Sequence, residues 1–179
     1  MRAVGIMDIG KISMVDIPVP EINEYECLVK MHACGFCNCT DTESVMNTHI
    51  HKDMPFPHVQ GHEGVGEIVK KGSKVRAYEI GDRIVFPEGR IDPKSGFFMC
   101  GCGHFADYCI VRDCEALQKD GLPLGSMFAD WPRKFPKELT KSLQRALRGR
   151  NCFECLGRIA ECTGRHVKRH QERAHGAAA

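Results

Sequence analysis

The stretch from Ala33 to Glu67, ACGFCNCTDTESVMNTHIHKDMPFPHVQGHEGVGE, constrains this chain more than any other part of it. It packs Cys34, Cys37 and Cys39 into one short loop and later sets His62 and Glu63 side by side. A thiolate, an imidazole and a carboxylate are the donors that a catalytic zinc ion takes. Cys37 and His62 are 25 positions apart, so no single helix turn joins them, and a folded scaffold has to bring them together. Plainer roles compete with that one. Cysteine is among the most buried residue types, and a loop histidine is often no more than a hydrogen-bonded side chain. A chain with 11 Cys and 9 His also yields such pairs by chance.

The rest of the first two thirds reads as short strands. Residues 1–20 form two strands around a turn at Asp8-Ile9-Gly10, ended by Pro18 and Pro20. Glu26 to Cys34 alternates, with Cys27, Val29, Met31 and Ala33 on one face and Leu28, Lys30 and His32 on the other. It delivers the chain into the Cys37 loop, after which Asp41 is positioned to N-cap a short helix. His49 to His58 reads as a loop fixed by prolines. Gly64–Val69, Ile80–Phe86 and Phe105–Val111 read as further strands. Short strands at this spacing, with glycine turns and few helices, predict a mainly β fold, a partly open barrel.

Three segments in order, Ala-Cys-Gly-Phe-Cys-Asn-Cys-Thr-Asp, Gly-His-Glu-Gly-Val-Gly-Glu-Ile-Val and Gly81-Asp82-Arg83-Ile84-Val85, carry a resemblance. Together they resemble the N-terminal catalytic domain of the zinc-dependent medium-chain alcohol dehydrogenases. The resemblance covers residues 1–121 and implies a GroES-like barrel. It further implies Cys37 and His62 as zinc ligands, and Glu63 as either a direct ligand or a carboxylate behind the ligands. Asp41 then orients His62 through its other ring nitrogen, and Thr40 supplies the hydroxyl that takes the substrate alcohol's proton. The family places one residue between the ligand Cys and the Thr-Asp pair, whereas this chain has two, Asn38 and Cys39. Cys39 is therefore the alternative ligand, and Cys37 is preferred because Cys-Gly-Phe-Cys is intact. The implied chemistry is oxidation of an alcohol to an aldehyde or ketone, with hydride passing to NAD(P). Many members hold a second, structural zinc with four close Cys. Here only Cys100 and Cys102 lie in the matching region, which predicts a tight turn and no such ion.

The resemblance fades after Gly121. A dinucleotide-binding half would open with a strand, a Gly-x-Gly-x-x-Gly turn and a helix, and that turn is not found here. The family's downstream third zinc ligand has no matching motif either. Residues 122–150 read as a linker and an amphipathic helix, with Leu139, Leu143, Ala146 and Leu147 on one face. Charge changes with the pattern. Up to Pro132 there are 13 basic against 19 acidic residues, a net −6; from Arg133 onward there are 12 against 4, a net +8.

Residues 151–179 form a basic tail, read as helical at best or disordered. Cys152, Cys155, His166 and His170 have finger-like order, but ten residues separate Cys155 from His166, where the DNA-binding finger has about twelve. A truncated or out-of-register continuation of a longer gene would produce the same shift. The competing function is a non-catalytic zinc- or nucleic-acid-binding adaptor acting through this tail. Nucleic acid is the less favoured partner, and a small-molecule alcohol the favoured one. No run approaches the length of a membrane span, and the N-terminus lacks a signal-peptide pattern. With that pattern missing, 11 Cys predict reduced thiols and metal ligands in the cytoplasm.

Overall fold

The computed structural model describes residues 1–100, 102–126, 129 and 132–134. Met1–Phe135 makes one compact unit. The amphipathic helix expected beyond Phe135, and the whole basic tail, lie outside the described residues.

The first strands form as the sequence predicts: β1 (Arg2–Asp8) and β2 (Lys11–Asp16) pair antiparallel across the Ile9-Gly10 turn. They continue into a four-stranded sheet of order β2-β1-β4-β7, in which β4 is His58–Val59 and β7 is Phe98–Met99. Ala3, Ile17 and Val59 bury their side chains beneath this sheet.

The second sheet has five strands and carries the larger core. Its members are β3 (Glu26–Gly35), β5 (Glu63–Lys71), β6 (Arg83–Val85), β8 (Tyr108–Arg112) and β9 (Arg133–Lys134), in the order β8-β3-β5-β6-β9. All its neighbours run antiparallel. Cys27, Val29, Ile68, Val75, Ile84 and Val111 pack together on its inner face, which is the Cys27/Val29 face that the alternation predicts. The two sheets are stitched where the Val4 N–H donates to Phe105 O at 2.8 Å and the Asp107 N–H to Arg2 O at 2.9 Å. The result is a curled, partly open barrel of the GroES-like kind.

Two short helices decorate it. Helix α1 (Thr40–Met46) follows the Cys37 loop, and α2 (Cys114–Lys119) follows β8. Asp113 caps α2, its Oδ1 accepting from the Ala116 N–H at 2.9 Å. No helix among the described residues is long and apolar enough to cross a membrane.

Three sequence expectations are corrected in detail. Asp41 does not cap α1: Cys39 holds the cap position, and Asp41 sits inside the first turn, buried. The strand expected over Ile80–Phe86 spans only Arg83–Val85, because Gly81 turns the chain just before it with φ +87°. The proline-fixed loop carries a 3-10 turn at His49–His51 and gives its last residue, His58, to β4.

Candidate metal centre

The β3–β5 ladder explains how residues 25 apart in sequence meet. Gly35 pairs with Glu63, and Cys34 with Gly64. Cys37 thus lies just beyond the end of β3, and His62 just before the start of β5, at the same end of the same ladder. A register shift between Met31 and Ala33 sets this alignment. A one-residue slip would turn every later side chain of β3 to the opposite face.

At that end, one ligand atom each from Cys37, His62 and Glu63 lie within 4.8 Å of one another. Glu63 reaches the group by folding over Gly35, where a Cβ would stand 2.5 Å from the Glu63 Oε2. Gly61 precedes the two ligands with φ +108°, a conformation that L side chains rarely adopt.

The two ring nitrogens of His62 face different partners. Nδ1 lies 3.3 Å from Asp41 Oδ1, and Nε2 lies 3.9 Å from Glu63 Oε1. Asp41 is almost wholly buried, and its other oxygen accepts the Cys37 N–H at 2.8 Å. One carboxylate therefore touches both the thiol loop and the imidazole. The Nδ1 approach is at ion-pair distance but off the line of the N–H, so Oδ1 has no aligned hydrogen-bond partner. A buried oxygen in that state is placed to take the Nδ1–H of an imidazole whose Nε2 holds a metal.

Electrostatics favour the thiolate of Cys37 and, with no ion bound, the protonated form of His62. Partial burial pushes the Cys37 thiol up, but the backbone N–H groups of Thr40 and Cys39, the Thr40 hydroxyl and His62 outweigh it, and the net shift is downward. In the metal-free protein the Asp41 carboxylate beside Nδ1 lifts His62 to about 9, against desolvation, with the Cys37 sulfur adding to the rise. An ion at the site competes with that proton.

The other candidates separate cleanly. Cys39 is exposed and turns its Sγ toward Glu43 Oε1 at 3.5 Å, away from the cluster. Cys34 is pushed by burial to about 12. Cys100 and Cys102 are both buried, with Cys100 Sγ 3.3 Å from His51 Nδ1. The tail's Cys152, Cys155, Cys162, His166 and His170 lie outside the described residues.

Sequence reasoning missed two buried residues around the site. Gln60 donates its side-chain amide to Asp41 O at 3.1 Å, which ties the ligand loop to α1. His104 accepts the Gly64 N–H on Nδ1 at 2.9 Å, and its burial lowers it to about 4. A histidine beside an aromatic residue at a strand entrance gives no local signal of either contact.

The residues fit a zinc ion. Sulfur, nitrogen and oxygen donors converge, a carboxylate backs the imidazole, and three ligands leave a fourth position free. The 4.8 Å spread is wider than a closed tetrahedral site, where neighbouring donors stand roughly 3.5 Å apart.

Comparison with known proteins agrees with the fold and the motifs. The model of the alcohol dehydrogenase GroES-like domain matches residues 23–121. An alcohol dehydrogenase from Geobacillus stearothermophilus is 31% identical over 141 residues, covering 74% of this chain and 37% of that enzyme. An L-threonine 3-dehydrogenase from Shewanella loihica is 38% identical over 109 residues, covering 58% of this chain and 26% of that enzyme. The chain thus spans well under half the length of these relatives. Among solved structures, an alcohol dehydrogenase from Thermus sp. ATN1 superposes with a TM-score of 0.52 at 20% identity, over 76% of this chain and 40% of that one. Galactitol-1-phosphate dehydrogenase from Escherichia coli gives 0.50 at 24% identity, over 63% and 36%. At these identities the structural likeness speaks to the fold alone. Matched by the domain model over more than half its length, the chain belongs to the alcohol dehydrogenase GroES-like family of oxidoreductases.

Proposed function

We propose that residues 1–121 are the zinc-binding catalytic module of an alcohol dehydrogenase-like oxidoreductase. The overall reaction converts an alcohol and NAD(P)⁺ to an aldehyde or ketone, NAD(P)H and a proton. The observation that carries this is the convergence of Cys37, His62 and Glu63 within 4.8 Å, with Asp41 behind the imidazole.

Each residue then has a task. Cys37, His62 and Glu63 hold the ion and leave one position for substrate oxygen. Zinc bound there supplies Lewis acidity toward an alcohol oxygen. Asp41 fixes the His62 ring and, through the Cys37 N–H, the thiol loop. Thr40 carries a hydroxyl within hydrogen-bond reach of the Cys37 sulfur, and that hydroxyl would relay the alcohol's proton, accepting it while passing its own on to solvent. The nicotinamide cofactor is seated by chain other than residues 1–121, which hold no Gly-x-Gly-x-x-Gly turn.

The test is metal content. The purified full chain should retain about one zinc per molecule, the stoichiometry of a single catalytic site. Cys37→Ser and His62→Ala should each lose it, while Cys39→Ser should keep it. Retention by Cys37→Ser with loss in Cys39→Ser would move the ligand to Cys39. Failure of the unsubstituted chain to bind zinc would sink the proposal.

A further inference from the structure

We infer that His104 is a positioning residue for the metal centre, a clamp that holds both ends of the His62-Glu63 pair. The inference rests on the zinc assignment above and concerns what keeps those two ligands in place.

The geometry is specific to one residue. The backbone N–H of His104 donates to Gly61 O at 3.1 Å, and its ring Nδ1 accepts the Gly64 N–H at 2.9 Å. Gly61 and Gly64 are the two residues that flank His62 and Glu63. The next residue reinforces the near end: the Phe105 N–H donates to Gln60 O at 2.9 Å. On the far side of the ring, Nε2 meets the carbonyl of Pro87, just past the end of β6.

Those partners fix the ring's state. Gly64 N–H only donates, so Nδ1 is the acceptor. Pro87 O only accepts, so Nε2 carries the proton. The imidazole is neutral, satisfied at both nitrogens and 1% exposed. Space confirms how closely the ring is fitted, since a Cβ on Gly64 would stand 2.7 Å from His104 Nδ1. Glu63 is exposed, and its backbone is held on the C-terminal side by this ring. A second arrangement, backbone bond alone, would hold Gly61 but leave the Gly64 amide buried without a partner. Losing an acceptor for a buried N–H makes that end of the pair shift to find another.

Two variants separate clamping from general packing, because each keeps one of the two ring bonds. His104→Asn reaches as far as Nδ1, so its amide oxygen still accepts from Gly64 while the Pro87 bond is lost. His104→Gln reaches as far as Nε2, so its amide still donates to Pro87 while the Gly64 bond is lost. Both remove one buried hydrogen bond, so urea midpoints should fall by similar amounts. Cobalt(II) is titrated into the metal-free full chain and followed by its d–d absorption and the thiolate charge-transfer band of Cys37. His104→Gln should bind at least about tenfold more weakly and with an altered d–d band, as expected when a partner behind metal ligands is removed. His104→Asn should stay close to the unsubstituted chain in affinity and spectrum.

The outcomes are distinct. If the unsubstituted chain binds no cobalt, the zinc assignment fails and this inference with it. If it binds and His104→Gln binds equally well, the inference alone fails. If both variants lose affinity in step with their stability, His104 is merely part of the core and the inference again fails. Should His104→Gln not fold, His104→Asn still decides, since a tenfold loss there contradicts the clamp.

Discussion

Asp41 is the residue on which most of the site turns. It is buried in the first turn of α1, accepts the Cys37 N–H with one oxygen and faces His62 Nδ1 with the other. Asp41→Asn keeps the shape but removes the charge that orients the imidazole, so zinc affinity should fall by about 10- to 100-fold. Competition with a chromogenic chelator measures this, and an unchanged affinity would show that His62 needs no support from Asp41. Gly35 makes a complementary case. Gly35→Ala places a methyl group where the Glu63 carboxylate now lies, 2.5 Å from Oε2. The side chain is flexible enough to swing away, so the urea midpoint should barely move while zinc binding weakens. Equal losses in both would show that Gly35 serves the strand and not the ligand. These residues differ in how far the sequence revealed them. Cys37, His62 and Glu63 were legible through the family resemblance of the Cys-Gly-Phe-Cys and Gly-His-Glu-Gly segments, since their residue types alone also arise by chance. Asp41 was legible as a residue but not as a position, since capping and first-turn burial look alike before the helix start is known. His104 was not legible, because its ring contacts reach 40 and 17 positions away.

The elements show the same division. Strands β1, β2, β3 and β5 were readable from alternation and turn residues, and the exposed face of β3 keeps its polar Lys30 and His32. Alternation does not reveal which strands pair, nor the register shift between Met31 and Ala33 that brings the ligands level. The two-residue strands β4, β7 and β9 are too short to have a period. Helix α2 was missed because the strand reading stops at Val111 and Asp113 was not weighed as a cap. That side chain does more than cap: its Oδ2 also accepts the Arg76 and Ala77 N–H groups at 2.6 and 2.8 Å. Asp113→Ala removes the cap and leaves two loop amides without their partner, which should cost about 2–3 kcal/mol in urea unfolding. A cost near zero would show that water replaces the carboxylate at no penalty. Burial pushes the Asp113 carboxyl up, but its backbone hydrogen bonds outweigh this and hold it below its ordinary value. Its contribution is therefore complete above the unfolded value of about 3.9 and fades as pH falls through the lower folded value. Asp113→Asn should flatten the acid limb of the stability profile in that window, whereas an unchanged limb would assign acid sensitivity to other carboxylates.

At the scale of the whole molecule, zinc binding and turnover should come apart. The barrel brings three ligands together without help from residues beyond 121, so the full chain should be stabilised by zinc. At a free zinc concentration a hundred times Kd, binding to the folded state alone adds about 2.7 kcal/mol. For a chain of this size that raises Tm by about 5–10 °C, and Cys37→Ser should show no rise. Hydride transfer asks for more. A pyrophosphate needs convergent backbone N–H groups at a glycine-rich strand-to-helix turn. In the described residues the only strands paired parallel are β4 and β7, two residues each, and neither feeds a helix through such a turn. The relatives it matches are longer, with the chain spanning 37% of the Geobacillus enzyme. The zinc-loaded 179-residue chain should therefore form no NAD(P)H from primary or secondary alcohols, even while it shows the full thermal shift. Adding a separately purified cofactor domain should restore turnover only if that domain docks at the open side of the metal centre, and Cys37→Ser should abolish whatever returns. Formation of NAD(P)H by the chain alone, at a rate that tracks bound zinc, would place a nicotinamide seat within these 179 residues and overturn the division of labour proposed for residues 1–121.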